Sequence, residues 1–105
     1  MTPEQQMLKD ATEMAQLLKL IAHPERLLAL CHLTEKEMNA GELSRASTLS
    51  PSAFSQHLAL LRNAGIVTVR KEGLLVFYSL ADHRIKKIIL AMQEICQNQQ
   101  RTYED

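Results

Sequence analysis

Two cysteines, Cys31 and Cys96, and one polar helix face are the parts of this sequence whose residue types could do chemistry. A pair of facing thiols can be bridged and reduced again, whereas a buried lone cysteine acts as a small hydrophobe. Position alone leaves both readings open. Each cysteine falls on the inward arc of its helix, Cys31 beside Leu27, Leu30 and Thr34, and Cys96 beside Ile85, Ile89 and Met92. The polar face lies in SPSAFSQHLALLRNAGIV, residues 50–67. At about 100° per residue, Ala53, Phe54, His57, Leu58, Leu60, Leu61 and Ala64 gather on one arc. Ser52, Ser55, Gln56, Ala59, Arg62 and Asn63 fall on the opposite arc, where an amide and hydroxyls suit base edges or phosphates. His57 sits on the inward arc and is expected to support the helix more than to read a base.

Other chemistries lack their parts. Asp82 and His83 are adjacent, but the helix that follows offers only Gln93 and Glu94, with no second histidine. Zinc wants about four N, S or O ligands in a compact tetrahedron, so no metal and no cofactor are expected. Asp82 then reads as a helix cap and His83 as a surface residue. There is no Cys-x-x-Cys, no phosphate loop and no evident nucleophile–base pair, which argues against an enzyme.

The elements that position these residues follow from periodicity and punctuation. Thr2-Pro3 starts a first helix with Met7, Ala11, Met14, Leu18 and Ile21 on one face. His23-Pro24 breaks it and opens a second helix to about Glu35. Asn39 or Gly41 opens a short third helix through about Ser47. Ser50-Pro51 starts the polar-faced fourth helix, and Gly65 is placed to end it. IVTVRK and LLVFYSL, separated by Glu72-Gly73, read as an antiparallel hairpin. Asp82 begins a last helix with Ile85, Ile88, Ile89, Met92 and Cys96 on its face. The order α-α-α-α-β-β-α predicts a mainly α winged helix-turn-helix spanning residues 1–105 as one domain, with the hairpin as wing.

Composition allows this reading without announcing it. The 105 residues are 46% hydrophobic and 23% charged, which fits a single globular domain. No apolar run approaches the roughly 18 residues of a membrane span. The start MTPEQQMLKDATEM lacks the basic and apolar regions of a secretion signal, so a cytoplasmic protein is expected. Lys plus Arg equals Asp plus Glu at 12 each, so any nucleic-acid partner must be met by local charge. Between Asn39 and Leu80 the basic Arg45, Arg62, Arg70 and Lys71 face only Glu42 and Glu72. Arg70 and Lys71, at the wing tip, complete a candidate DNA-contact set of Ser52, Ser55, Gln56, His57, Arg62, Arg70 and Lys71. So small a surplus favours a dimer, which doubles each contact.

The stretch LLKLIAHPERLLALCHL followed by GELSRASTLSPSAFSQHLALLRNAGIVTVRKEGLLVFYSL closely resembles the ArsR/SmtB family of bacterial winged-helix repressors. The motifs are His-Pro-x-Arg at the second helix, Gly-Glu-Leu in the third, Ser-Gln-His-Leu in the fourth, and Gly-aliphatic-Val into the wing. The resemblance implies a homodimer, joined mostly through its first and last helices, that binds an imperfect palindrome of double-stranded DNA and releases it on induction. A family metal site in the third helix uses Cys-x-Cys, whereas this chain has Gly41-Glu42-Leu43-Ser44. One cysteine in the second helix and one in the last instead resembles the BigR, SqrR and HlyU branch. There, persulfides or oxidants join the two cysteines through a disulfide or polysulfide. The resemblance thus implies a redox switch of Cys31 and Cys96, with reactive sulfur species or oxidants as inducer. Three alternatives use the same fold: an activator of virulence genes that displaces a silencing protein and, ranked behind it, a metal sensor or a protein-interaction module.

Overall fold

The computed structural model describes the backbone of residues 1–104 and the side chains of residues 1–99; the last residue of the expected single domain lies outside them. Five helices and three strands follow in the order α1 (Pro3–Ile21), α2 (Pro24–Glu35), β1 (Met38–Asn39), α3 (Ala40–Arg45), α4 (Pro51–Asn63), β2 (Val67–Glu72), β3 (Leu75–Leu80) and α5 (His83–Glu104). This is the expected winged helix-turn-helix with one added element, the strand β1.

Each helix start is written in its cap. Thr2 and Gln5 form a reciprocal capping box at α1, and Asn39 and Glu42 form another at α3. At α2 the cap is a histidine: His23 Nδ1 accepts the backbone N–H of Glu25 at 3.1 Å. Ser50 caps α4, with Pro51 in its first turn. The end of α4 is a Schellman motif: Gly65 at φ 76° donates to the Arg62 carbonyl, and Ile66 donates to the Leu61 carbonyl, both at 3.0 Å. Leu61 and Ile66 are both fully buried, so the same turn closes the helix and starts the wing from the core.

The sheet has the order β1-β3-β2. The wing turn is Gly73-Leu74, one residue later than the expected Glu72-Gly73, because Glu72 pairs with Leu75. Gly73 has φ 61° and Leu74 a negative φ, the pattern of a type II′ turn with glycine first. β1 escapes sequence reading because two residues carry no alternation. It is recruited by β3, with Met38 opposite Tyr78 and Asn39 opposite Phe77.

Leu30, Leu43, Leu61, Ile66, Ile85 and Ile89 are fully buried and come from α2, α3, α4, the wing and α5. The core thus ties the reading helix to both cysteine-bearing helices. Outside it, α1 and α5 leave Met7, Leu8, Met14, Leu18, Leu90 and Ile95 exposed. The radius of gyration is 16.0 Å, above the roughly 13 Å of a compact domain this size. The two long helices project from the core with apolar sides uncovered. No helix among the described residues is long and apolar enough to cross a membrane.

Candidate DNA-reading surface and thiol pair

Ser52, Ser55, Gln56 and Arg62 of α4 are exposed, as the wheel requires, while Phe54, Leu58 and Leu61 are buried on its other side. His57 is half-buried, with its Nδ1 3.1 Å from Nη1 of Arg26 on α2 and its ring centroid 4.3 Å from that of His23. Arginine can only donate, so Nδ1 accepts and the imidazole is neutral. Burial, followed by the nearby His23 and Arg26 charges, pushes its pKa down. His57 is thus a strut between α4 and the start of α2.

A second strut was not singled out from sequence. Glu25, only 7% exposed, accepts hydrogen bonds from Ser47 Oγ at 2.9 Å, the Thr48 backbone N–H at 3.2 Å and the Thr48 hydroxyl. These fix the turn between α3 and α4, and they hold the Glu25 carboxyl below its usual range, the Thr48 hydroxyl contributing most. The signal was present in sequence: a carboxylate in the first turn of α2, and a hydroxyl-rich turn whose donors need an acceptor.

On the wing, Lys71 is exposed but Arg70 is engaged. Arg70 pairs with Glu37 at 2.7 Å and with Glu72 at 2.8 Å, and its guanidinium lies 4.4 Å from the Phe77 ring centroid. Both carboxylates raise its pKa and Arg70 holds that of Glu37 low. Period-two alternation puts Lys71 on the opposite sheet face from Arg70. That face carries Tyr78, which lines an open cleft of about 430 Å³ together with Arg45 of α3 and Ser55 of α4. Arg45 and Tyr78 therefore lie beside the candidate reading residue Ser55; sequence reading counts Arg45 only as local charge. Asp82 accepts from the Arg84 backbone N–H at 2.9 Å and pairs with its guanidinium at 2.7 Å, which is the expected cap at the start of α5.

Cys31 is half-buried on α2 against the core. Burial raises its pKa, a hydrogen bond with the Gln93 side chain of α5 lowers it, and the charges of Cys96 and Glu35 raise it further. The two thiols thus lie on helices that pack against each other, α2 and α5. Cys96, however, is exposed, not on a covered arc as its wheel suggested. Met92 and Gln93 are the last half-buried residues of α5, and the described residues beyond them face solvent.

Comparisons with known proteins fit this geometry. The model of the family "bacterial regulatory protein, arsR family" matches residues 23–69, from the α2 cap into the wing. The chain is similar to the transcriptional activator HlyU of Vibrio cholerae, 43% identical over 97 residues, covering 91% of this chain and 90% of that protein. It is also similar to the biofilm growth-associated repressor of Agrobacterium fabrum, 42% identical over 83% of this chain and 74% of that one. Among solved structures, reduced HlyU from Vibrio cholerae superposes with a TM-score of 0.82, over 87% of this chain and 96% of that chain. The repressor BigR from Xylella fastidiosa does so at 0.81 and 37% identity, over 90% of this chain and 96% of that one.

Proposed function

Because the chain belongs to the ArsR family of bacterial regulatory proteins, and is accordingly a DNA-binding transcriptional regulator, we propose that it is a cytoplasmic, homodimeric repressor that releases its operator when Cys31 and Cys96 are bridged. Ser52, Ser55, Gln56 and Arg62 of α4, with Arg45 and Lys71, meet the DNA. His57 and Arg70 act from behind them. The apolar residues left open on α1 and α5 supply the dimer interface. A dimer reads half-sites about one DNA turn, roughly 34 Å, apart, so a small change in the spacing of its α4 helices loses contacts at both.

What supports the switch is that α2 packs against α5 and that their two thiols differ in exposure, Cys31 half-buried and Cys96 exposed. Cys96 is exposed and meets the sulfur donor first. Its thiolate takes the outer sulfur of a low-molecular-weight persulfide, leaving Cys96 as a persulfide and releasing the donor's thiol. Cys31, half-buried and with its pKa raised by burial, then attacks the inner sulfur of that persulfide. A Cys31–Cys96 disulfide forms and hydrogen sulfide leaves. The bridge joins α2, which carries the struts to α4, to α5, which carries the dimer contacts. Glutathione persulfide treatment followed by intact mass and gel shift tests this. The expected product is a protein lighter by two hydrogens that no longer shifts DNA, or a correspondingly heavier polysulfide that behaves alike. Treated protein that still shifts DNA with unchanged affinity overturns the switch.

A second reading keeps the surface but makes the protein an activator that displaces a silencing protein; the activator role of the Vibrio cholerae relative favours it. Reporter transcription from the bound promoter, with and without the protein, separates the two by sign.

A further inference from the structure

Arg70, the wing cation expected to reach DNA, is held on the far side of the sheet. Strand register explains how. Arg70 lies opposite Phe77 and Thr68 opposite Ser79, while Asn39 opposite Phe77 brings Glu37, just before β1, level with Ser79. The guanidinium crosses β3 over the Phe77 ring to reach it. Arg70 Nε donates to both Glu37 carboxylate oxygens at 2.9 and 3.0 Å, and Nη2 donates to Oε1 at 2.7 Å. Ser79 Oγ donates to Glu37 Oε2 at 2.9 Å, and Arg70 Nη1 donates to Glu72 at 2.8 Å. This face carries two carboxylates for one guanidinium, so it repels phosphate. Lys71 and Tyr78 occupy the other face, toward Arg45 and Ser55.

We propose that Glu37 and Arg70 are positioning residues for DNA binding, a clamp that sets the angle of the wing against the end of α2. A two-stranded ribbon twists easily and is marginal by itself, and β1 adds only two residues of ladder. An isolated exposed ion pair contributes little, but this one is forked, stacked on an aromatic ring and shared among three strands. With the clamp closed, Lys71 faces the same side as α4. With it open, the wing swings and the reading surface loses its flank.

The clamp inverts simple electrostatics: removing an acid weakens binding to a polyanion. The clamp rests on the DNA-binding function, so the test uses a duplex that the wild-type protein has itself selected from a random-sequence pool. Affinity is measured against salt for wild type, Glu37→Gln, Arg70→Gln and the double variant, each checked for an unchanged thermal unfolding midpoint. Glu37→Gln and Arg70→Gln are each expected to weaken binding about tenfold, and the double variant to lose no more than either single, the coupling of residues in one network. The slope of log affinity against log salt stays as in wild type. Unchanged or tighter binding by Glu37→Gln overturns the clamp, as do additive losses. So does an Arg70→Gln slope shallower by about one, the signature of a lost phosphate contact. If a variant unfolds early, Glu37→Asp, which shortens the acid by one methylene and keeps its charge, decides: undiminished binding overturns the clamp.

Discussion

At Gln56 and His57 the reading helix turns one side chain to solvent and the next to the fold, and their substitutions differ in kind accordingly. Gln56→Ala is expected to relax preference at one operator position, costing about 1–3 kcal/mol of discrimination, a size typical of a good base contact. Competition with base-substituted duplexes measures it. His57→Gln is expected to leave base preference intact and to alter the pH dependence of stability. His57 and Glu25 both have folded pKa values below their ordinary ones, so the unfolded chain binds more protons and stability rises with pH. The His57 contribution is complete above the ordinary imidazole value of about 6.5 and is lost as pH falls below it. The Glu25 contribution is complete above the ordinary carboxylate value of about 4.3 and is lost below that. Urea midpoints across pH should therefore fall in two stages toward acid; His57→Gln removes the upper one, and Glu25→Gln reduces the lower, to which Glu37 and Asp82 also contribute. A wild-type midpoint that rises toward acid would contradict both assignments.

Helix and strand boundaries rest on a few punctuating residues, which is why most of the fold was legible. Gly65→Ala places a Cβ on a residue at φ 76°. It should lower stability by about 1–2 kcal/mol through the Schellman turn while adding no steric clash, since the space around it is open. Leu61→Ala in the same turn empties a fully buried site and should cost about 2–5 kcal/mol. Thermal and urea unfolding check both. The caps Thr2, His23, Asn39 and Ser50 each announced a helix, and alternation announced β2 and β3. What periodicity could not reach was long-range pairing. β1 exists only because β3 accepts it, and Glu25 and Arg70 took their roles from partners more than twenty residues away. The wheel puts Cys96 on the inward arc of α5, yet the residue is exposed, because a helical wheel does not show where the neighbouring layer stops.

Three features of the molecule as a whole favour the proposed dimer. Its net charge is zero, its core leaves α1 and α5 apolar on the outside, and a single copy offers few cations to DNA. Ile95→Glu, at an exposed apolar site on α5, is expected to yield a folded monomer by sedimentation velocity. Operator affinity should fall at least a hundredfold while weak, salt-sensitive binding remains. An undiminished dimer would move the interface elsewhere. In the proposed dimer the thiol pair would act as a switch, because a bridge between α2 and α5 would connect the reading unit to the helices proposed to set the distance between its two copies. The most direct test is fluorescence anisotropy of labelled operator duplex through one redox cycle: reduced protein, the same protein after glutathione persulfide, and after dithiothreitol. Wild type is predicted to bind, release and rebind, while Cys31→Ser and Cys96→Ser stay bound throughout. Release that persists in both serine variants, or a wild-type complex that ignores persulfide, would contradict the account.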